Sequence, residues 1–384
     1  MKNIKKNMNN KVCILTSVHE PFDTRIFHKQ AKSLLKAGYD VTLIAQHNKA
    51  EIVDGVKIVA LPKSKNRLRR ILGTWRVFQL ALKQRAEFYH FHDPELIPIA
   101  VLLKLFSNGK VIHDVHENVK HDILTKSWLP RTVRGFLSLM YQLMEKAGLP
   151  FFDENIIAED SYIENYRKQN NILALRNYPM LSFSKSSSEV KYSRPTLIYV
   201  GRITQPRGMW ELVESIRLLK PKYDNILLSL VGLINPVSLE EQLGKLLQQF
   251  SLQQNVQLVG KVKHDEIYAI LPRCHIGMAI LHPIPNYLES LPTKLFEYMA
   301  AGLPVVASNF PLWKDIVEGN NCGVTVDPLN SNEIAKAVEY LIEHSYEARK
   351  MGQNGRNAVI EKYNWETESR KLLDLYKDLY KYRD

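Results

Sequence analysis

Short apolar runs alternate with stretches of helical periodicity along nearly the whole chain, and this alternation limits the possible folds more than any other feature. Residues 12–16 read as a strand, 23–37 as a helix closed by Gly38, and 40–45 as the next strand. Strands at 56–61, 88–92, 110–115 and 155–158 follow, separated by helices at 68–86, after Asp93-Pro94-Glu95, and near 131–147. The stretch 177–194 contains Pro179 and a Ser/Lys-rich run without periodicity, and reads as an interdomain linker. A second set then begins, with strands at 196–200, 226–231, 256–258, 276–281, 304–308 and 323–326, and helices at 209–220, 239–250, 293–301 and from Asn332. Strands alternating with helices pair in parallel through right-handed crossovers. A chain of 384 residues also exceeds the roughly 250–300 residues that one core accommodates. The expectation is an α/β protein of two facing Rossmann-like, doubly wound domains, with a ligand cleft at the carboxyl ends of the strands. Their expected bounds are 1–185 and 186–365, with a last amphipathic helix at 366–384 packing back on the first domain.

Composition narrows the function classes. Cys13, Cys274 and Cys322 stand far apart with no Cys-x-x-Cys pair, which argues against a zinc site and a disulfide framework and fits a reducing, cytoplasmic setting. The first ten residues are basic and polar, and the apolar run at 12–17 is too short for a secretory signal. The longest apolar stretch, 96–106, is broken by Lys104 and falls below the roughly 18–20 residues of a membrane span. Any membrane contact is therefore expected at the surface. The net charge of +12 is unevenly placed: residues 1–150 hold 25 Lys and Arg against 12 Asp and Glu, whereas 151–384 hold 27 against 28. An anionic partner is expected at the first domain, whether a membrane surface, a lipid-linked substrate or a nucleic acid. No aromatic-basic recognition motif supports the nucleic acid. No Gly-x-Gly-x-x-Gly follows a strand, which disfavours a nicotinamide-dependent oxidoreductase.

Two segments carry candidate chemistry. Tyr199-Val200-Gly201-Arg202-Ile203-Thr204-Gln205-Pro206-Arg207-Gly208 lies at the end of a buried strand. Its two arginines, five residues apart, suit the fork geometry of a diphosphate, and Gly201 permits close approach of a ligand. A strand end with two solvated arginines is the competing reading. The other segment runs from Glu289 through Leu291-Pro292-Thr293-Lys294 to Glu297, followed by Met299-Ala-Ala-Gly302-Leu-Pro304-Val-Val306. A helix that starts near Pro292 presents unpaired amides, and with Lys294 in its first turn it forms an anion site. Glu297 lies one turn further in, suited to the two vicinal hydroxyls of a ribose, and Glu289 precedes the helix. Either glutamate taken alone is equally a surface or helix-stabilising residue.

Together the segments resemble family 4 glycosyltransferases, which have the GT-B fold: a strand-end Gly-Arg segment, a Glu-x7-Glu motif (Glu289 and Glu297 here), and Met-Ala-Ala-Gly-x-Pro-Val-Val. Gly232, the Gly260…His264-Asp265-Glu266 segment and Gly319-Asn-Asn-Cys-Gly323 fall in the same order. The resemblance implies a retaining hexosyltransferase-type enzyme (EC 2.4) that moves a sugar from a nucleotide-sugar donor to a glycan or lipid-linked acceptor, in the manner of bacterial surface-polysaccharide enzymes. It implies that Arg202 and Arg207 hold the diphosphate, Glu297 the ribose and Glu289 the hydroxyls of the donor sugar. Arg207 stands where the family usually has lysine. No metal or other cofactor is expected, since Arg202, Arg207, Lys294 and the helix amides supply the positive charge. A non-catalytic nucleotide-sugar-binding protein of the same fold is the alternative.

In the first domain the chain has Ser17-Val-His19-Glu20-Pro21-Phe22-Asp23-Thr24-Arg25 where many relatives carry a Gly-Gly loop. Arg25 is a candidate contact to acceptor or phosphate, or a solvated first-turn residue, and Asp23 a helix cap. His116, just past the strand 110–115 and before Glu117, matches the family's cleft-facing histidine near the transferred sugar. His92 is an acceptor-side candidate, although His92-Asp93 also reads as a strand end with a cap. Residues 63–85 interleave cations with Leu72, Trp75 and Phe78, as in an interfacial anchor or a basic solvated helix. This segment is the expected contact with an anionic membrane at its inner face.

Overall fold

The computed structural model describes residues 10–63, 67–116, 118–125, 129–166, 171–181 and 190–381. It divides into two units: Met1–Asn177 with Thr367–Asp384, and Tyr178–Glu366. The boundary expected at 185/186 lies instead at 177/178, and side-chain packing explains the difference. Tyr178 stacks its ring on Phe296 and Tyr363, at centroid distances of 4.8 and 5.4 Å. Leu181 N donates to the Glu366 carboxylate at 3.0 Å. Residues 182–189 of the expected linker lie outside the described residues. The stretch after them is fastened to the second unit, with Tyr192 N donating to Arg273 O (2.9 Å) and Lys191 Nζ to Cys274 O (2.5 Å).

The first unit is built on eight strands: β1 (Lys11–Leu15), β2 (Asp40–Gln46), β3 (Glu51–Val53), β4 (Val56–Leu61), β5 (Phe88–Phe91), β6 (Lys110–Val115), β7 (Glu154–Ile157) and β8 (Ile172–Ala174). Their order across the sheet is β3-β4-β2-β1-β5-β6-β7-β8, parallel throughout except for β3, which pairs antiparallel with β4. Strand order reverses between β1 and β5, the switch point of a doubly wound sheet. Helices cover both faces, so the central strands are buried on both sides and read as near-continuous apolar runs. Asp23 caps the first helix, its Oδ1 accepting from Arg25 N (2.8 Å) and Ile26 N (3.0 Å). That helix is π-helical over Thr24–Ala31 and α-helical over Lys32–Lys36. The C-terminal helix, Trp365–Lys381, enters this unit through Tyr376. The Tyr376 ring is buried against Phe88 (4.7 Å) and Tyr39 (5.5 Å).

The second unit has a wholly parallel sheet of β9 (Thr196–Val200), β10 (Leu227–Val231), β11 (Val256–Gly260), β12 (Ile276–Ala279), β13 (Val305–Ser308) and β14 (Gly323–Val326). Its order is β11-β10-β9-β12-β13-β14, so the switch point lies between β9 and β12. Every residue of β9, β10, β12 and β13 is buried. β9 and β10 both end in a glycine with positive φ, +128° at Gly201 and +146° at Gly232. A Cβ on Gly232 would lie 1.9 Å from the Gly201 carbonyl oxygen, so only glycine permits the two strand ends to approach this closely.

Gly232→Ala therefore combines backbone strain with a steric clash. A loss of about 2–4 kcal/mol is expected, lowering the thermal midpoint of the second unit by several degrees. A variant that melts with the wild type in calorimetry would contradict this account of the strand ends.

Candidate functional site

The β9/β12 switch point of the second unit collects its cationic side chains. Gly201 follows β9, and the position its Cβ would occupy lies 3.4 Å from Lys294 Nζ and 3.6 Å from Arg207 Nη1. Arg207 ends a single 3-10 turn, Gln205–Arg207, and its Nε donates to Tyr287 Oη at 3.2 Å. Lys294 comes from the first turn of the helix Thr293–Ala300. Its side chain is buried, its Nζ sits 3.6 Å from the centroid of the Tyr199 ring, and no hydrogen-bond acceptor faces the ammonium. Burial first, and the Arg207 charge second, push the Lys294 pKa well below the ordinary lysine range, while Glu297 pulls it the other way. A buried ammonium beside a guanidinium, without an accepting oxygen, is an anion site by its chemistry.

The helix that presents Lys294 is held in place by its own residues. Tyr298 Oη accepts from Val200 N (2.8 Å), and it donates to Met278 O (3.3 Å), tying the helix to β9 and β12 together. Glu297 is buried beside it, with Tyr268 Oη donating to Oε1 at 3.3 Å. Leu291, Pro292 and Thr293 form the half-buried entry to the helix, where Leu295 N donates to Pro292 O (3.0 Å). The first four amides of any helix lack intrahelical partners, so this end adds partial positive charge. Glu289 follows the short helical turn Pro285–Leu288 and is half-buried. The next residue, Ser290, accepts from Trp313 Nε1 through its carbonyl (2.7 Å), which anchors the loop carrying Glu289.

Spacing pairs Arg207 with Arg202, and the structure adds Lys294 beside Arg207. Arg202 is exposed, and its carbonyl accepts from Tyr199 Oη (2.9 Å). The pair that meets over Gly201 is Arg207 with Lys294. Sequence reasoning also missed Tyr199, Tyr268, Tyr287 and Tyr298. Tyr199 and Tyr298 lie within the quoted motifs, but nothing in their spacing shows that one supports the ammonium and the other holds the helix.

In the first unit, polar residues gather at the switch point between β1 and β5, around Asp114. The Arg25 guanidinium forks onto its carboxylate, Nη2 to Oδ1 at 2.9 Å and Nε to Oδ2 at 3.3 Å, and Gln30 Nε2 donates to Oδ2. His90 Nε2 and His92 Nδ1 lie 3.5 and 3.6 Å from Oδ2, and His116 Nε2 lies 3.5 Å from Oδ1. His92 Nδ1 and His116 Nε2 share a hydrogen bond of 2.8 Å, and His90 Nδ1 shares one of 2.9 Å with Tyr376 Oη. Burial opposes ionisation of Asp114, but Arg25 and the histidines hold its pKa well below the usual carboxylate range. Burial pushes His90 and His92 down, so both are held neutral.

This arrangement revises two expectations. Arg25 is buried and pairs with Asp114 through Nη2 and Nε, so it is not a solvated first-turn residue, and its buried Nη1 has no hydrogen-bond partner. Asp93 makes no side-chain cap to the helical turn Pro94–Leu96. Its Oδ2 instead accepts from Thr16 Oγ1 (2.8 Å) and Ser17 N (2.5 Å), fastening the loop after β1 to the end of β5. His92 is buried and His116 partly exposed, and Glu117 lies outside the described residues. Among the described residues, His90, His92 and Asp114 bring potential metal-ligand atoms within 4.8 Å of one another. The Arg25 fork, however, already puts a positive charge on both oxygens of Asp114.

Comparison with known proteins agrees with the second unit's geometry. Residues 183–358 match the model of the family described as glycosyl transferases group 1. A GDP-mannose-dependent alpha-(1-6)-phosphatidylinositol monomannoside mannosyltransferase of Mycobacterium tuberculosis is 29% identical over 188 residues, 47% of each chain, so the chain spans about half the length of that curated relative. The capsular polysaccharide biosynthesis glycosyltransferase CapM of Staphylococcus aureus is 25% identical over 64% of this chain and 67% of its own. Among solved structures, a sucrose-phosphate synthase from Thermosynechococcus elongatus superposes with a TM-score of 0.77 at 19% identity, over 96% of this chain and 99% of that one. Two Rossmann-like sheets are the GT-B plan, and within the second of them the match to the glycosyl transferases group 1 model covers residues 183–358, somewhat less than half of the chain.

Proposed function

We propose that the chain is a retaining, metal-independent glycosyltransferase. It moves a sugar from a nucleotide-sugar donor, bound by the second unit, to a glycan or lipid-linked acceptor served by the first. One observation carries this reading: a buried ammonium and a guanidinium meet over Gly201 at the switch point, and the ammonium has no hydrogen-bond acceptor. A diphosphate is the ligand whose charge and oxygen count answer that pair. The glycosyltransferase family match over 183–358 and the Glu289/Glu297 spacing support a sugar nucleotide over a free phosphate.

In the reaction the bond from the anomeric carbon to the diphosphate oxygen breaks, and its electron pair leaves with the nucleoside diphosphate. The acceptor hydroxyl oxygen forms the new bond on the same face, which retains the anomeric configuration, and its proton passes to the departing diphosphate oxygen. Lys294, Arg207 and the amides at the start of the Thr293–Ala300 helix stabilise the charge that develops on the departing diphosphate, in the role a divalent cation plays elsewhere. Arg202, exposed at the same turn, closes on the diphosphate only when the ligand is present. Glu297 accepts from the ribose hydroxyls, Glu289 addresses the sugar, and His116 lines the acceptor side. The glycolipid substrate in one relative's name and the capsular role in another's favour surface-polysaccharide or glycolipid synthesis at the cytoplasmic face of the membrane.

Lys294→Met tests the anion site in two directions. It removes a desolvated charge and keeps an unbranched apolar stem one atom shorter, so the ligand-free protein should melt no lower than wild type, and higher at neutral pH. Affinity for nucleoside diphosphate should fall about 10- to 100-fold, the value of one charge-assisted contact of roughly 1.5–3 kcal/mol. The depressed pKa fixes the sign of the pH dependence. The unfolded lysine binds a proton that the folded one has lost between the lowered and ordinary values, so this group adds stability as pH rises through that window. At a pH inside that window diphosphate binding restores the proton, and calorimetry there in buffers of different ionisation enthalpy should read uptake in wild type beyond that in Lys294→Met. Equal uptake and equal affinity in the two proteins would remove Lys294 from the site.

The two glutamates should separate. Glu297→Ala should lose affinity for free nucleoside diphosphate, whereas Glu289→Ala should bind it nearly as wild type does yet transfer poorly. Equal losses of binding would refute the division of roles. Turnover should also persist in EDTA, and a strict requirement for magnesium or manganese would overturn the assignment of charge to Lys294 and Arg207.

A further inference from the structure

The helix Arg131–Gly148 lies on the first unit and turns most of its large apolar residues to solvent. Its inward face is narrow: Ser138, Tyr141 and Gly148 are buried, and Met144 packs partly buried against the core. Glu145 accepts from Tyr141 Oη (2.5 Å) and Tyr166 Oη (2.6 Å). A Cβ on Gly148 would lie 2.7 Å from Ile97 Cγ2, so the helix rests directly on the neighbouring helix Ile97–Phe106. Its other large apolar residues point out. Phe136 is 63% exposed, Leu139 54%, Met140 48% and Leu143 55%, with Val133 and Leu137 beside them. The spacing 136, 139, 140, 143 makes one continuous stripe along a helix about 27 Å long at 1.5 Å per residue. Scattered exposed leucines are ordinary, but a helix that turns a continuous apolar stripe to solvent marks an interaction surface.

Charge identifies the partner. Arg131 and Lys146 are exposed at the two ends of the stripe, and the only acid of the helix, Glu145, is engaged by the two tyrosines. The first 150 residues carry all of the chain's excess positive charge. No helix of the described residues is long and apolar enough to cross a membrane. We propose that the Arg131–Gly148 helix lies in the plane of an anionic lipid surface, inserting Phe136, Leu139, Met140 and Leu143 among the acyl chains while Arg131 and Lys146 meet the headgroups. This contact is separate from the one expected at 63–85. In the helix Arg67–Gln84, Thr74, Val77, Phe78 and Ala81 are buried and Leu72, Trp75 and Arg76 are exposed, while residues 64–66 and the side chains of 67–71 lie outside the described ones. The inference gives a place to the lipid-side acceptor proposed above, but it is measured without turnover, so either can fail alone.

The test is co-sedimentation of the ligand-free protein with vesicles of phosphatidylcholine alone and of phosphatidylcholine mixed with phosphatidylglycerol. The wild type should bind the mixed vesicles at low salt, and retain part of that binding in high salt, because screening removes the charge but not the apolar term. Phe136→Asp/Leu143→Asp should lose binding at least about tenfold. It should melt at or above the wild-type temperature, since both side chains are exposed, which separates lost docking from lost folding. Arg131→Glu/Lys146→Glu should lose affinity on the mixed vesicles alone, and Trp75→Asp should bind as wild type. Binding of Phe136→Asp/Leu143→Asp equal to wild type would overturn the proposal. So would a wild type that ignores vesicles but forms a dimer in analytical ultracentrifugation that the double variant abolishes, since the stripe would then serve a second copy of the chain.

Discussion

Two positive charges held against one glycine, with an aromatic ring under one of them and no accepting oxygen for it, are the feature on which the second unit's architecture turns. An isolated domain gains nothing from this pair. The ammonium of Lys294 is desolvated and stands beside Arg207, and the fold bears the cost. Nearly everything nearby holds that unfavourable arrangement in position. Tyr298 fastens the Lys294 helix to β9 and β12, Tyr287 steadies Arg207, and the glycines after β9 and β10 bring the strand ends close enough to leave room above them. A site that is destabilising while empty and neutralised by its ligand is the usual compromise between stability and binding.

The first unit makes a different use of the same topology. Its switch point is filled rather than open: Asp114 receives the Arg25 fork, Gln30 and three nearby histidines, and Asp93 closes the loop after β1. Charge is matched inside the unit, leaving His116 partly exposed at the edge of the cluster. The C-terminal helix adds Tyr376 to this network through His90, so the last helix of the chain supports the side chains at the centre of the first unit.

Much of the fold was legible in the sequence because buried parallel strands are continuous apolar runs, and those of β9, β10 and β13 stand out between helical stretches. The edge strand β3 and the helix Ser345–Glu361 were not, since a three-residue half-exposed strand carries little pattern and that helix has a weak apolar stripe. At the site, the Glu289/Glu297 spacing and the glycines were visible. The partnership of Arg207 with Lys294 was not, because it joins residues 87 apart that only the sheet brings together. Arg202 is nearer in sequence and equally charged, so spacing suggested that pairing first. Asp114 was hidden within a strand, and without it Arg25 reads as a solvated cation. The helix Arg131–Gly148 shows a further limit: periodicity reveals an apolar face but not whether that face points to the core or away from it.

Binding thermodynamics across a phosphate series test the central assignment most directly. Nucleosides, nucleoside monophosphates and nucleoside diphosphates of uridine, guanosine and adenosine would be titrated into the ligand-free protein by calorimetry. If Lys294 and Arg207 hold a diphosphate, then for whichever base binds, the diphosphate should exceed the monophosphate by about 2–4 kcal/mol, roughly 30- to 1,000-fold, since charge-assisted contacts carry that difference. Equal affinities for monophosphate and diphosphate would contradict the account.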